Sequence, residues 1–266
     1  MATPNRIAPG SSLSPAATHS LDEARHRLIV ALDAPDQARA LQMVDALKNT
    51  CQWFKVGLEL FTAAGPGIVE ELTSRGHSVF LDLKFHDIPN TVAGAVRSAA
   101  KLGARLMTLH ALGGPAMLAA AREAVAGLAD PPELLAVTVL TSMDAVQLRA
   151  IGLEIAPARQ VEHLARMGME AGLKGFVCSP EEVGILRRLT GPDGVLVIPG
   201  IRPAGAAMGD QKRVATPADA LRQGASYLVV GRPITQASEP AAAAWAILEE
   251  MAQGLSRSPV AEKPGA

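Results

Sequence analysis

The residues best placed to do chemistry lie in one stretch. Residues 79–91 read Val-Phe-Leu-Asp-Leu-Lys-Phe-His-Asp-Ile-Pro-Asn-Thr, an apolar run that carries Asp82, Lys84 and Asp87 close together. Side chains alternate along a strand, so Asp82 and Lys84 share one face while Leu81, Leu83 and Phe85 share the other. Acid, base and acid beside an apolar run cost desolvation free energy unless the charges pair with each other. Two readings meet that demand. One is a structural ion pair at a strand end; the other is a catalytic cluster in which carboxylates keep an ammonium charged and aimed. The stretch alone leaves both open.

Eight apolar runs could position it. They cover residues 27–33, 53–60, 79–85, 106–110, 134–142, 175–179, 194–202 and 227–232. Helical patterns separate them, over residues 35–48, 66–75, 90–101 and 240–253, with an Ala-rich segment after Gly113-Gly114 and a stretch over 144–172 broken at Pro157. Pro35 suits a helix start and Gly103 a helix end. Strands without polar alternation are buried on both faces, as in a parallel sheet covered by helices. Eight such units in 266 residues predict a single-domain (β/α)8 TIM barrel over residues 26–253, between a disordered extension at 1–25 and a polar tail at 254–266. A doubly wound open sheet is the alternative. It would place a Gly-rich fingerprint after the first strand, where this chain has Asp33-Ala34-Pro35.

Composition narrows the partners. Hydrophobic residues make up 48% and charged residues 19%, which fits a globular core. Lys plus Arg number 25 against 26 Asp plus Glu, so no basic excess points to nucleic acid or an anionic membrane. An anionic ligand must therefore be held by local groups. No apolar stretch reaches the roughly 18 residues needed to span a bilayer. The N-terminus lacks the continuous apolar region of a signal peptide. Cys51 and Cys178 show neither metal nor disulfide spacing, and two cysteines suit a reducing compartment, so the cytoplasm is the expected location.

In a (β/α)8 barrel the active site lies at the carboxyl ends of the strands. Asp33, Asp82, Lys84, Asp87, Thr141, Ser142, Arg202 and Arg232 fall largely there, with Lys55 nearer the start of its strand. Gly231-Arg232 ends the eighth run, where barrel enzymes often bind phosphate through backbone N–H groups and a helix terminus. Residues 202–213, with two glycines and Arg202, suit either a lid over a ligand or a plain mobile loop. His86 and His110 lie near strand ends without a further ligand set at metal spacing, and read as supporting residues.

The central stretch, together with Asp33, Lys55, Thr141-Ser142, Pro199-Gly200-Ile201-Arg202, Gln211 and Gly231-Arg232, closely resembles the orotidine 5′-phosphate decarboxylase family over residues 28–248. The resemblance implies a (β/α)8 homodimer that converts orotidine 5′-monophosphate to UMP and CO2 without cofactor or metal, the last step of pyrimidine nucleotide synthesis. It also implies roles. Asp33 and Lys55 would bind the ribose hydroxyls. Asp82 would face the substrate carboxylate and Lys84 would donate the proton. Asp87, Ile88 and Thr91 would reach into the neighbouring subunit's site. Thr141 or Ser142 would contact the pyrimidine, while Arg202, Gln211, Gly231 and Arg232 would hold the phosphate.

Two rivals remain in view. Related barrels acting on sugar phosphates share an Asp-x-Lys-x-x-Asp pattern but need Mg2+, with an acidic ligand where this chain has Lys55. A cation there would repel a divalent metal. A catalytically silent nucleotide-binding protein could keep the phosphate residues, but would have no reason to keep Asp82, Lys84 and Asp87 together.

Overall fold

In the computed structural model, which describes residues 15–203 and 214–256, eight parallel strands close into a barrel in chain order. They are β1 (Leu28–Ala31), β2 (Trp53–Gly57), β3 (Ser78–Phe85), β4 (Leu106–His110), β5 (Glu133–Val137), β6 (Gly175–Val177), β7 (Val195–Ile198) and β8 (Tyr227–Val230). Helices lie between them, and β8 pairs with β1 to complete the ring. This is a (β/α)8 TIM barrel. Among the described residues no helix is long and apolar enough to cross a membrane.

Each strand serves two cores, which is why its sequence lacks polar alternation. On β1, Leu28 and Val30 join the large core beneath the helices. Ile29 and Ala31 point inward and pack with Phe80, Leu106, Leu135, Val197 and Val229. At the start of β2 and β8 the rings of Trp53 and Tyr227 meet at 5.2 Å between centroids, closing that end with apolar bulk. Toward the carboxyl ends the inward residues turn polar: Phe80 gives way to Asp82 and Lys84, Trp53 to Lys55, Leu106 to Thr108. The barrel is a packed core below and a charged cup above.

Several boundaries differ from the sequence expectation. The second strand stops at Gly57, and Leu58–Ala64 is a helix that buries Leu60 and leaves Leu58 exposed. Lys55 is therefore mid-strand, two residues from the carboxyl end. The fifth strand ends at Val137 rather than residue 142; the apolar run continues because Val139 and Leu140 line the cleft. The seventh ends at Ile198, where Gly200 adopts a left-handed φ of 78° and turns the chain before Ile201 bridges to Ala215.

The termini are also corrected. The extension expected over 1–25 is helical from Pro15: Pro15–Arg27 packs on the closing helix Pro240–Ser256, burying Leu21 and Ala24. Leu21 and Ala24, three apart, share one face of this helix, and the Arg25 guanidinium stands over the Trp245 ring, 5.2 Å from its centroid. The closing helix runs past Gln253, because Gly254 is buried against Ala218, where a methyl group would meet backbone at 2.8 Å. Residues 1–14 and 257–266 lie outside the described residues, as does most of the expected lid at 202–213.

Candidate active site

Neighbouring strands set the charges in a line across the cup. The Lys55 ammonium on β2 lies 3.2 Å from Asp33 Oδ1, just beyond β1, and 3.6 Å from Asp82 Oδ2 on β3. The other Asp82 oxygen accepts from Lys84 Nζ at 2.8 Å. Asp82 and Lys55 are each 13% exposed, Lys84 31% and Asp33 57%, so the chain of charges runs from the solvent-facing rim inward. Burial alone would push the Asp82 carboxyl up. The Lys55 and Lys84 ammoniums, with hydrogen bonds from Lys84 and Thr108, outweigh that and hold it below the usual carboxylate range. Asp82 stays an anion between two cations.

The backbone is bent to make this possible. Lys84 has a φ of 50°, and among the described residues it is the one non-glycine in the left-handed region. Such a conformation costs about 1–2 kcal/mol and marks a position held by its surroundings. Pairing between β3 and β4 slips there: four residue steps from Leu81 to Phe85 face two from Met107 to Leu109. A bulge of this kind re-aims a side chain beside a site. Thr108, wholly buried on β4, accepts the Lys84 N–H at 2.8 Å and donates its hydroxyl to Asp82 Oδ1 at 3.0 Å.

Sequence reasoning passed over Thr108, although a polar residue inside an apolar strand is itself a signal. It also passed over Gly57. A Cβ built there would lie 2.8 Å from Lys55 Nζ, so the glycine leaves the space that the ammonium occupies. A glycine inside a strand often marks such a close approach.

Asp33, Lys55, Asp82, Lys84, Thr141, Arg202, Gly231 and Arg232 all border one cleft, whose walls include Phe80, Val139 and Val229. Arg202 and Arg232 border the same cleft from beyond the ends of β7 and β8. Burial, then the neighbouring Arg232 charge, lowers the Arg202 pKa, so two like charges meet where an anion would relieve both. Ser142 is exposed and does not line the cleft, so of the adjacent pair it is Thr141 that faces it. Gln211 lies outside the described residues. Asp87, Ile88 and Thr91 do not line the cleft either. Asp87 accepts the Ile88 N–H at 2.7 Å, Ile88 is 67% exposed, and the helix Pro89–Ala100 carries Thr91 on an exposed first turn.

The rings of His86 and His110 stack beside Lys84, 5.4 Å apart. Burial, then the charges of His86 and Lys84, pushes His110 down to about 4. It is neutral at pH 7 and adds no second cation next to Lys84. Both cysteines are buried thiols outside any disulfide, and burial pushes the Cys51 thiol up to about 12. Among the described residues no three His, Cys, Asp or Glu side chains converge as a ligand set for a metal.

A sequence model described as Orotidine 5′-phosphate decarboxylase / HUMPS family matches residues 26–247. The orotidine 5′-phosphate decarboxylase of Moorella thermoacetica is 54% identical over 234 residues, covering 86% of this chain and 93% of the relative. That of Nitrosococcus oceani is 52% identical over 227 residues, with 85% and 98% covered. Among solved structures, the orotidine 5′-phosphate decarboxylase of Lactobacillus acidophilus superposes with a TM-score of 0.75 at 41% identity, covering 85% of this chain and 98% of that one. By its sequence, its barrel and the charges at the barrel's mouth, this chain belongs to the orotidine 5′-phosphate decarboxylase / HUMPS family.

Proposed function

We propose that this enzyme decarboxylates orotidine 5′-monophosphate to UMP and CO2, closing the synthesis of pyrimidine nucleotides, in the cytoplasm and without a cofactor. The observation that carries the reading is the Lys55–Asp82–Lys84 array in a cleft that Arg202 and Arg232 also line. The phosphate binds at the arginines, with Gln211 and the Gly231 backbone. Asp33 and Lys55 take the ribose hydroxyls, and Thr141 contacts the pyrimidine. The C6 carboxylate then lies against Asp82.

Cleavage of the C6–carboxyl bond releases CO2 and leaves the electron pair on C6, in the ring plane, where the ring's π system gives little help. The Lys84 ammonium stabilises that charge and then donates its proton to C6, returning as a neutral amine that water reprotonates. Like-charge repulsion between Asp82 and the substrate carboxylate adds ground-state destabilisation. The remote phosphate supplies binding energy rather than taking part in bond breaking.

The site is shared across a homodimer. Asp87, Ile88 and Thr91 stand on an exposed turn away from their own cleft, which suits a reach into the partner's. An exposed isoleucine on that turn also suits an interface.

The test is the ultraviolet absorbance change of orotidine 5′-monophosphate with purified protein in excess EDTA. Conversion to UMP is expected. Turnover only of a sugar phosphate, and only after Mg2+ is restored, would move the protein to the metal-dependent branch of the family. Tight UMP binding with no turnover of either substrate would leave a nucleotide-binding protein.

A further inference from the structure

Thr108 does more than fill the barrel. It is fully buried, and one oxygen atom serves two residues of the charge array. The bulge that turns Lys84 into the cup takes its N–H out of regular register, and Thr108 Oγ1 accepts that N–H at 2.8 Å. The same hydroxyl donates to Asp82 Oδ1 at 3.0 Å, the oxygen that also receives Lys84 Nζ. A hydroxyl has one donor and two acceptor sites, so both bonds can form together. A valine would match the shape and supply neither.

We infer that Thr108 is a positioning residue for the reaction, its hydroxyl fixing both the backbone from which Lys84 projects and the carboxylate that steers the Lys84 ammonium. The inference rests on the decarboxylase reading for its kinetic readout alone. Removing the hydroxyl takes away the acceptor of the Lys84 N–H and frees Lys84 to relax from its left-handed conformation, drawing Nζ away from C6. It also removes one donor from Asp82. The other groups facing that carboxylate are Lys55 from β2 and Lys84 from β3, with Asp33 acting through Lys55 and the stacked rings of His110 and His86 beside Lys84. Losing a hydrogen bond to the charged form moves a carboxyl toward higher pH.

The experiment compares Thr108→Val, Thr108→Ala and Thr108→Ser with the wild type, using orotidine 5′-monophosphate turnover, UMP affinity and the 13C NMR titration of the Asp82 carboxyl. Thr108→Val should lower kcat by roughly 10- to 100-fold, with UMP affinity within about threefold. Its acid limb of kcat, and the Asp82 titration, should move to higher pH. Thr108→Ala, which cannot overpack, takes its place if Thr108→Val does not fold. Thr108→Ser keeps the hydroxyl and should stay within about threefold of wild type in kcat, with an unmoved titration. A hydroxyl-free variant with wild-type kcat and titration would overturn the inference, as would Thr108→Ser failing as badly as Thr108→Val. Absence of turnover in the wild type would instead strike at the decarboxylase reading, and the Asp82 titration would still decide the role of the hydroxyl.

Discussion

The two ends of the cleft handle charge in opposite ways. At the β2–β3 end, cation, anion and cation alternate, each contact is between 2.8 and 3.6 Å, and every lysine already has a carboxylate. At the β7–β8 end, two arginines sit close enough for one to lower the pKa of the other, and Arg202 donates to the carbonyl of its own neighbour Ile201. The first array balances its own charges; the second brings two cations together at the edge of the cleft. Electrostatic catalysis needs groups that do not have to reorganise when charge develops. Binding tolerates, and lid closure requires, a site that changes on contact. Under the proposed reaction, the contrast gives bond breaking to the strands and affinity to the loops.

The sharpest way to break that contrast is Lys84→Ala. If Lys84 both stabilises and protonates the carbanion, kcat should fall by about 10^4-fold or more. The arginine end is untouched, so UMP affinity, measured by calorimetry, should change less than about tenfold. Activity within tenfold of wild type would remove Lys84 from the donor role. Loss of UMP binding in step with activity would mean that the two ends are not separable.

The opposite end calls for a different signature. Arg232→Ala should raise KM by roughly 10- to 100-fold, the range of a hydrogen bond to a charged group. The control is orotidine, which lacks the phosphate: wild type and Arg232→Ala should then differ by less than about threefold, since each change alone removes the interaction. An equal loss on both substrates would place the arginine's effect somewhere other than the phosphate.

The same contrast explains what was legible in the sequence. Charged residues at the ends of buried strands cannot be hidden among solvated ones, so Asp33, Asp82, Lys84, Arg202 and Arg232 stood out, while Lys55, read near the start of its strand, gained its role from the family resemblance. Parallel strands buried on both faces gave the barrel its eight apolar runs. Thr108 was silent because its importance comes from a register slip on the adjacent strand, and register is not a local property. The early end of β2 was hidden because Leu58 and Leu60 read as strand until helical spacing buries one and exposes the other. Asp87, Ile88 and Thr91 do not line the cleft, so their roles were legible only through the family resemblance.

Gly57→Ala tests the crowding at the rigid end with the smallest change. The backbone there has a φ of −99°, so alanine meets no conformational strain. Its methyl carbon would sit 2.8 Å from Lys55 Nζ, closer than the contact allows. The ammonium ends a flexible side chain and can swing aside at little cost in stability, but only by lengthening its contacts to Asp33 and Asp82. The expected result is a kcat lowered by about 3- to 10-fold with thermal stability and phosphate affinity nearly unchanged, because a small misplacement of a charged group costs rate more than folding. Were KM to rise while kcat held, Lys55 would belong to the binding side of the contrast, through the ribose, and the rigid array would shrink to Asp82, Lys84 and the threonine beneath them.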